Sequence, residues 1–467
     1  RSDVPNHHGS RAVVPCRNNP LEGHVLHRMI FHVHGQAFLV RVERRAFRHG
    51  PGFEHAVDLQ AEIEMQSRRM MHLDNEMRRG RCGLRHRPGR LRSVAELSFP
   101  PIFFEGHEIE FMFKNSDNGL QKMNFRVESG NMIGIMGGSG VGKTTLLNLL
   151  HGKLKPSSGN IYINGYDINE DSEELKGLIG FVPQDDMLIE ELTVYQNLYF
   201  NARLCFGDYN EEQLKNAVQK VLQDLDLYEI KDLQVGDMMN KKVSGGQRKR
   251  LNIGLELLRE PVVLFIDEPT SGLSSFDSEK VMSLLRNQSL IGKLVFAIIH
   301  QPSSDIIKMF DKLWLLDKGG YMIYDGDPVE ALVYFKTETS QANAAESECP
   351  NCGNVETDNI LHIVEVKVID NSGYPGKERQ ISPKEWYEKY KKKMMPVLGT
   401  PPLKTVIPPS NFRVPKKSNQ IRTFITRNLT RKFADRQYMT INLVEAPLLA
   451  FILGYISKFS TYGTYSF

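Results

Sequence analysis

Lys143, Thr144 and Thr145 close the run Gly137-Gly138-Ser139-Gly140-Val141-Gly142-Lys143-Thr144-Thr145. Its spacing fits the G-x-x-x-x-G-K-[ST] pattern through Gly137, Gly142, Lys143 and Thr144. Glycines at these positions let backbone N–H groups turn inward on phosphate oxygens, and a following helix adds its partial positive charge. Lys143 would bridge the outer phosphates and the Thr144 hydroxyl would ligate magnesium. The flanks suit this chemistry. Met132–Met136 reads as a buried strand, and Thr144–Leu150 as the start of a helix. A glycine-rich turn that binds nothing is the plainer alternative, and it does not account for Lys-Thr-Thr in this context.

Asp267 and Glu268 follow the apolar run Val262–Ile266, 124 residues after Lys143. Such a run predicts a central parallel strand that delivers both carboxylates to its C-terminal end. Asp267 is suited to hold magnesium, directly or through water. Glu268 is suited to orient and deprotonate an attacking water, since phosphoryl transfer is mostly positioning and charge stabilisation. His300 ends another apolar strand, Leu294–Ile299, where a neutral imidazole could contact a γ-phosphate or that water. Gln184 follows a third, Gly180–Pro183, and its amide could join the magnesium shell. Taken singly, a carboxylate, a histidine or a glutamine at a strand end is more often structural.

Ser244-Gly245-Gly246-Gln247 opens a second helix with an anion-binding N-terminus, predicted as amphipathic through Leu251, Ile253, Leu255 and Leu258. Ser244 is also a good N-cap, which is the plainer reading of that turn. The chain thus carries two phosphate-binding turns and one hydrolytic set. Two chains arranged head to tail, each lending its Ser-Gly-Gly turn to the other's nucleotide, would satisfy both.

The elements that must position these groups alternate. Between Gln184 and Ser244 a helix is predicted over Glu211–Leu227, with Leu214, Ala217, Val218, Val221, Leu222 and Leu225 on one face. Asp277–Gln288 reads as a helix, Lys312–Lys318 and Tyr321–Tyr324 as strands, and Pro328–Phe335 as a closing helix. Strands alternating with helices predict a doubly wound α/β sheet.

The set resembles the ATP-binding cassette of ABC transporters. In that resemblance Gly137–Thr145 is Walker A, Gln184 the Q-loop, Val243–Gln247 the signature, Asp267 the end of Walker B and His300 the switch histidine. Ser244-Gly245-Gly246-Gln247-Arg248-Lys249-Arg250, Ile253-Gly254-Leu255-Glu256-Leu257 and His300-Gln301-Pro302-Ser303-Ser304 resemble the G (White, pigment-precursor) subfamily. So does the tail from Phe310 to Gly326, and the similarity covers about residues 103–465. It implies a P-loop NTPase fold, a RecA-like parallel sheet core plus a helical subdomain. ATP and Mg2+ are the implied cofactors and a second cassette the implied partner. The family's Ser-Gly-Leu-Asp is Ser271-Gly272-Leu273-Ser274 here, with Asp277 three residues on. Phe111 and Phe113 are candidates for stacking on adenine.

Charge divides the chain. The net of +3 hides a break near residue 95, before which there are 17 arginines and no lysine, and after which there are 12 arginines and 30 lysines. Ten of the 14 histidines fall in residues 1–95, His7-His8 and His32-x-His34 being densest. A basic nucleic-acid or lipid arm and a histidine metal site are functional readings of that stretch. The preferred expectation is a wrong-frame or chimeric start, with no sustained helical or strand period, no secretory signal and no function.

Five scattered cysteines are too few for a disulfide framework and place the cassette in a reducing compartment. Cys349-Pro350-Asn351-Cys352, with His362, could hold a metal, but Cys349-Pro350 also resembles a pair that follows the subfamily's cassette. A post-cassette extension and linker is expected over 341–417, proline-rich and polar from 371 on. An amphipathic helix over 418–436 would carry Ile421, Phe424, Ile425, Leu429 and Phe433 on one face. Arg422, Arg427, Arg431, Lys432 and Arg436 surround that face, as on a membrane-surface helix. Ile441–Ile456, inside a first membrane segment over 438–467, has one interior charge, Glu445, and a Pro447. Seven basic residues against one acid in 416–440 keep the cassette on the cytoplasmic side of a multi-pass membrane protein truncated at Phe467.

Two functions compete. One is the ATP-hydrolysing subunit of a G-type half-transporter, in which ATP joins two cassettes (103–340) and hydrolysis at Glu268 releases them. The other is a soluble ABC-type ATPase acting on ribosomes or DNA. A single cassette, with 101 residues between Lys143 and Ser244, favours the transporter, and no nucleic-acid partner is expected. The transported substrate is not legible.

Overall fold

The computed structural model describes residues 26–33, 36–43 and 101–460, apart from 115, 117, 238–241, 342–343, 346–347, 349–352 and 370–374. The chain divides into two compact units, Arg1–Ser93 and Val94–Phe467.

In the first unit, β1 (Leu26–Val33) pairs antiparallel with β2 (Gln36–Glu43), Leu26 opposite Glu43 and Val33 opposite Gln36. No sustained strand period was expected over residues 1–95, and this hairpin corrects that. Both segments are rich in β-branched and aromatic residues, and two residues, one of them glycine, separate them. His7, His8 and His34 lie outside the described residues.

In the second unit the strands are β3 (Phe103–Met112), β4 (Gly119–Glu128), β5 (Met132–Gly137), β6 (Ser158–Ile163), β7 (Tyr166–Asp167), β8 (Ile179–Val182), β9 (Val263–Ile266), β10 (Leu294–Ile298), β11 (Lys312–Asp317), β12 (Tyr321–Gly326), β13 (Lys367–Ile369) and β14 (Pro375–Arg379). The helices are α1 (Lys143–Leu150), α2 (Val194–Cys205), α3 (Glu211–Asp224), α4 (Gly245–Leu257), α5 (Ser275–Leu290), α6 (Ser304–Ile307), α7 (Glu330–Glu338), α8 (Thr357–Glu365), α9 (Pro383–Lys393), α10 (Lys417–Ala434) and α11 (Arg436–Ser460).

A six-stranded sheet runs β12-β11-β5-β10-β9-β8, parallel except for the β11–β12 pair, and an antiparallel sheet runs β4-β3-β6-β7. Every residue of β5, β9 and β10 is buried. That is why these segments read as unbroken apolar runs: a parallel sheet is covered on both faces. Ile266 registers with Val182 on one side and Ala297 on the other, and Ile298 registers with Ile135. The C-terminal ends of β8, β9, β10 and β5 therefore share one edge, where loops leaving neighbouring strands meet.

Aromatic packing joins the two sheets. Phe265 stacks on Phe296 with ring centroids 5.0 Å apart, and Phe104 lies 5.5 Å from Phe296. On the opposite face Leu198, Leu251, Ile253 and Leu285 are buried in a second cluster. Capping boxes start α2 at Thr193, α3 at Asn210 and α4 at Ser244, each worth about 1 kcal/mol. The predicted stripe is buried apart from half-buried Ala217, but the helix stops at Asp224 because Leu225 caps it and Asp226 turns to φ 54°.

Residues expected as linker are folded. Ser382 and Glu385 form a capping box with Pro383 at the first helical turn, and α9 sets Trp386 and Tyr390 fully into the core. The Tyr387 hydroxyl donates to the Lys122 carbonyl at 2.6 Å. Downstream, Thr405 N–H bonds the Asn164 carbonyl at 2.9 Å and Arg413 N–H bonds the Cys205 carbonyl at 2.9 Å. A proline-rich composition does not mean freedom here, because these backbone bonds tie the stretch to the β6–β7 turn and to the end of α2.

On α10, Ile421, Phe424, Ile425, Leu429 and Phe433 are exposed, and Arg431 pairs with Glu191 at 2.8 Å. Helix α11 contains Tyr438–Ile456, 19 residues of mean hydropathy 1.7, long and apolar enough to cross a membrane.

Candidate functional site

The phosphate-type loop leaves β5 at the sheet's centre. Gly142, with φ 105°, precedes α1 without any side-chain cap, so the helix's first N–H groups have no partner from that position. A Cβ at Gly137 would collide with the Leu316 carbonyl, which fixes glycine there. Lys143 curls over its own loop, its Nζ donating to the Gly137 carbonyl at 3.0 Å and the Gly138 carbonyl at 2.7 Å. Burial lowers its pKa, while Glu268 and Asp267 act to raise it. Ser139, Gly140, Val141 and Thr145 complete the loop, Gly140 with open space where a side chain would stand.

Asp267 is nearly enclosed, its N–H bonded to the Val182 carbonyl at 2.9 Å and its Oδ1 buried without a partner. Burial raises its pKa, and a hydrogen bond from Thr144 opposes that. An orphaned carboxylate oxygen beside a threonine hydroxyl is an all-oxygen donor set that fits Mg2+. That ion takes one or two carboxylates, with phosphates and waters for the rest. Among the described residues no group of three His, Cys, Asp or Glu side chains could hold a metal by itself. Cys349 and Cys352 lie outside the described residues.

Glu268 follows at φ 48°, a left-handed backbone uncommon for a side chain of this kind. Gln184 Nε2 donates to its Oε2 at 3.0 Å, and His300 Nε2 meets its Oε1 at 2.7 Å. Gln184, Glu268 and His300 thus form one hydrogen-bonded unit, drawn from three loops at one sheet edge. Lys143, Thr144 and Asp267 adjoin it.

The second turn stands apart. Ser244 Oγ accepts from Gln247 N–H at 3.2 Å and Gln247 Oε1 accepts from Ser244 N–H at 2.9 Å, so both side chains serve their own helix. A Cβ on Gly246 would strike the Asp277 carboxylate, and one on Gly245 would lie 3.3 Å from Leu273. Ser274 caps α5 by accepting from the Asp277 N–H, and its hydroxyl donates to the Asp277 carboxylate at 3.1 Å.

Residues 120–271 match the family model described as ABC transporter. Over 215 residues, 45% of this chain and 19% of the relative, the chain is 40% identical to ABC transporter G family member 28 of Arabidopsis thaliana. It is 39% identical to a probable ATP-dependent permease of Saccharomyces cerevisiae, over 53% of this chain and 24% of that protein. Residues 120–271 thus form an ABC transporter domain, similar to those of G-family ABC transporters. ATP-binding cassette sub-family G member 8 of Homo sapiens is 29% identical over 360 residues, 72% of this chain and 52% of the relative. The chain therefore spans from about a fifth to about half the length of these relatives. A solved structure of cbiO1 from Clostridium perfringens, part of the ABC transporter complex cbiONQ, aligns with a TM-score of 0.45 and 29% identity, over 50% of this chain and 92% of that chain.

As an ABC transporter domain, the cassette binds and hydrolyses ATP. Its α4 is not the simple amphipathic helix expected, since Lys249, Arg250 and Asn252 are buried along with Leu251 and Ile253. Arg248 donates to both Asp186 oxygens, at 2.5 and 3.1 Å, and to the Gly236 carbonyl at 2.7 Å. Lys249 Nζ reaches the Gln184 carbonyl at 3.0 Å. In the sequence both residues stood only within the subfamily motif, without a role, although three successive charges inside an apolar helix were the available signal. Phe111 and Phe113 meet edge to face at 5.0 Å, Phe113 being largely exposed.

Proposed function

We propose that this chain is the ATPase-bearing half of a G-type ABC half-transporter, working as a pair of cassettes that shares two nucleotides. The carrying observation is the Gln184–Glu268–His300 unit beside the Asp267 orphan oxygen and the Lys143 loop. In this reading Gly137–Thr145 wraps the triphosphate, and Lys143 exchanges its two loop carbonyls for phosphate oxygens. Thr144, Asp267 and the Gln184 amide hold Mg2+, which when bound neutralises phosphate charge. Glu268 orients the water and takes its proton, and His300 contacts the γ-phosphate side.

The N-terminus of α4, capped only by its own residues, supports a role toward a second chain's nucleotide: Ser244, Gly245, Gly246 and Gln247 would close that pocket in trans. The exposed apolar faces of α10 and α11 support attachment to a bilayer, with the cassette on the cytoplasmic side of a multi-pass protein. They also weigh against a soluble ATPase of ribosomes or DNA. The pattern of domains offered is a cassette over 103–340, an extension over 341–417, a connecting helix over 418–436 and a membrane segment from 438.

The test is ATP-driven association of the Glu268→Gln chain, followed by light scattering. A stable nucleotide-bound dimer with no steady-state hydrolysis is the expected result. Full turnover by a strictly monomeric chain overturns the shared-pocket architecture.

A further inference from the structure

The extension after the cassette reaches the phosphate loop. Arg379, on β14, donates through Nη1 to both Asp317 oxygens at 2.7 and 2.8 Å, and through Nη2 to Glu365 Oε1 at 2.9 Å. Asp317 closes β11, whose Leu316 registers against Gly137, the first residue of the loop. Glu365 closes α8, and its Oε1 lies 3.4 Å from the point a Cβ on Gly138 would occupy. Lys143 bonds the Gly137 and Gly138 carbonyls, while Glu365 stands against Gly138 and Leu316, the neighbour of Asp317, pairs with Gly137. Asp317 is 3% exposed and Arg379 11%, whereas Glu365 is 47% exposed.

Two carboxylates therefore stand behind a loop built to receive a polyanion, and one guanidinium serves both. The planar fork is suited to this double duty, with one arm fixing Asp317 while the other orients Glu365. Left unpaired, both carboxylates would repel incoming phosphates through a partly dehydrated rim, where charge acts further than in bulk water. Paired, they leave a net single negative charge, held in a defined place.

We infer that Arg379 is a positioning residue for nucleotide binding, which neutralises Asp317 and Glu365 and pins Glu365 against Gly138, making the post-cassette extension an outer wall of the ATP site. This rests on the ATPase reading above and adds to it a residue outside every cassette motif.

Steady-state ATPase of the full chain tests it at low and high salt. Arg379→Ala is expected to raise the KM for ATP about tenfold, the scale of losing a charged hydrogen-bonding partner, with kcat within about twofold. High salt should shrink that penalty, because screened carboxylates repel less. Adding Glu365→Gln to Arg379→Ala should restore most of the affinity, and Arg379→Lys should fall between. Should Arg379→Ala fail to fold, Glu365→Gln alone decides, and its expected result is a KM lowered about two- to threefold. The inference is overturned by an unchanged KM in a folded Arg379→Ala chain, by a penalty indifferent to salt and to Glu365→Gln, or by an unchanged KM in Glu365→Gln. A wild-type chain that neither binds nor hydrolyses ATP would instead defeat the ATPase reading itself.

Discussion

Lys249 Nζ donates to the backbone carbonyl of Gln184 at 3.0 Å, from a side chain only 8% exposed. Burial lowers its pKa, and Asp267 acts most strongly to raise it. One lysine on α4 thus holds the Gln184 backbone while lying within electrostatic reach of Asp267. Arg248 beside it grips Asp186, so α4 is tied to the segment after β8 at two points. Lys249→Met removes the donor and the charge together. Its expected effect is a kcat lowered about tenfold with ATP affinity nearly retained, read by parallel turnover and nucleotide-binding titrations.

Glu268→Gln tests the carboxylate held between Gln184 and His300. An amide keeps the shape but cannot take a proton. Steady-state hydrolysis should fall by a factor of about 100 or more while ATP still binds. Near-normal turnover would remove Glu268 from the base role.

Asp267 yields a pH prediction whose sign follows from its environment. Burial raises its folded pKa above the unfolded value, so the folded protein binds the proton more tightly. Ionised Asp267 therefore costs stability in the nucleotide-free chain at neutral pH. That cost fades as pH falls through the raised value toward the ordinary carboxylate range. Asp267→Asn should melt higher than wild type at pH 7 without nucleotide, with a gap that closes on acidification. In Mg-ATP the order should reverse. A gap that widens toward low pH would contradict this account.

Trp386→Ala tests whether the extension is structural. A fully buried indole on α9 should cost about 3–5 kcal/mol when truncated, measured by denaturant unfolding of the full chain. A loss below about 1 kcal/mol would mean that α9 is merely laid against the cassette.

Removing residues 1–95 should leave ATP affinity unchanged, since the chain's compact units divide near that point. Isothermal titration of the shortened chain checks this.

What the sequence revealed depended on how local the physics was. β5, β9 and β10 were legible because strands buried on both faces read as continuous apolar runs. The positions of Asp267, Glu268 and His300 just past such strands, and of Lys143 at the start of α1, followed from the same apolar runs. Helix α9 was not, since Trp386 and Tyr390 sit among seven charged neighbours in PKEWYEKYKKK and find their partners far along the chain. Tyr387 binds Lys122, 265 positions away. Lys249 was hidden for the same reason, as its partner Gln184 lies 65 positions earlier.

The strap after α9 sets a mechanical limit. Asn164 Nδ2 holds the Val406 carbonyl at 3.0 Å beside the antiparallel sheet, and Arg413 is bonded to Cys205 and Gly207 at the end of α2. Seven residues of fully stretched chain reach at most about 25 Å. While both anchorages last, the lobe bearing α2 can swing away from that sheet only as far as this tether allows. Any wider excursion must first unzip one end, and release at Arg413 would pass slack directly into the chain entering α10.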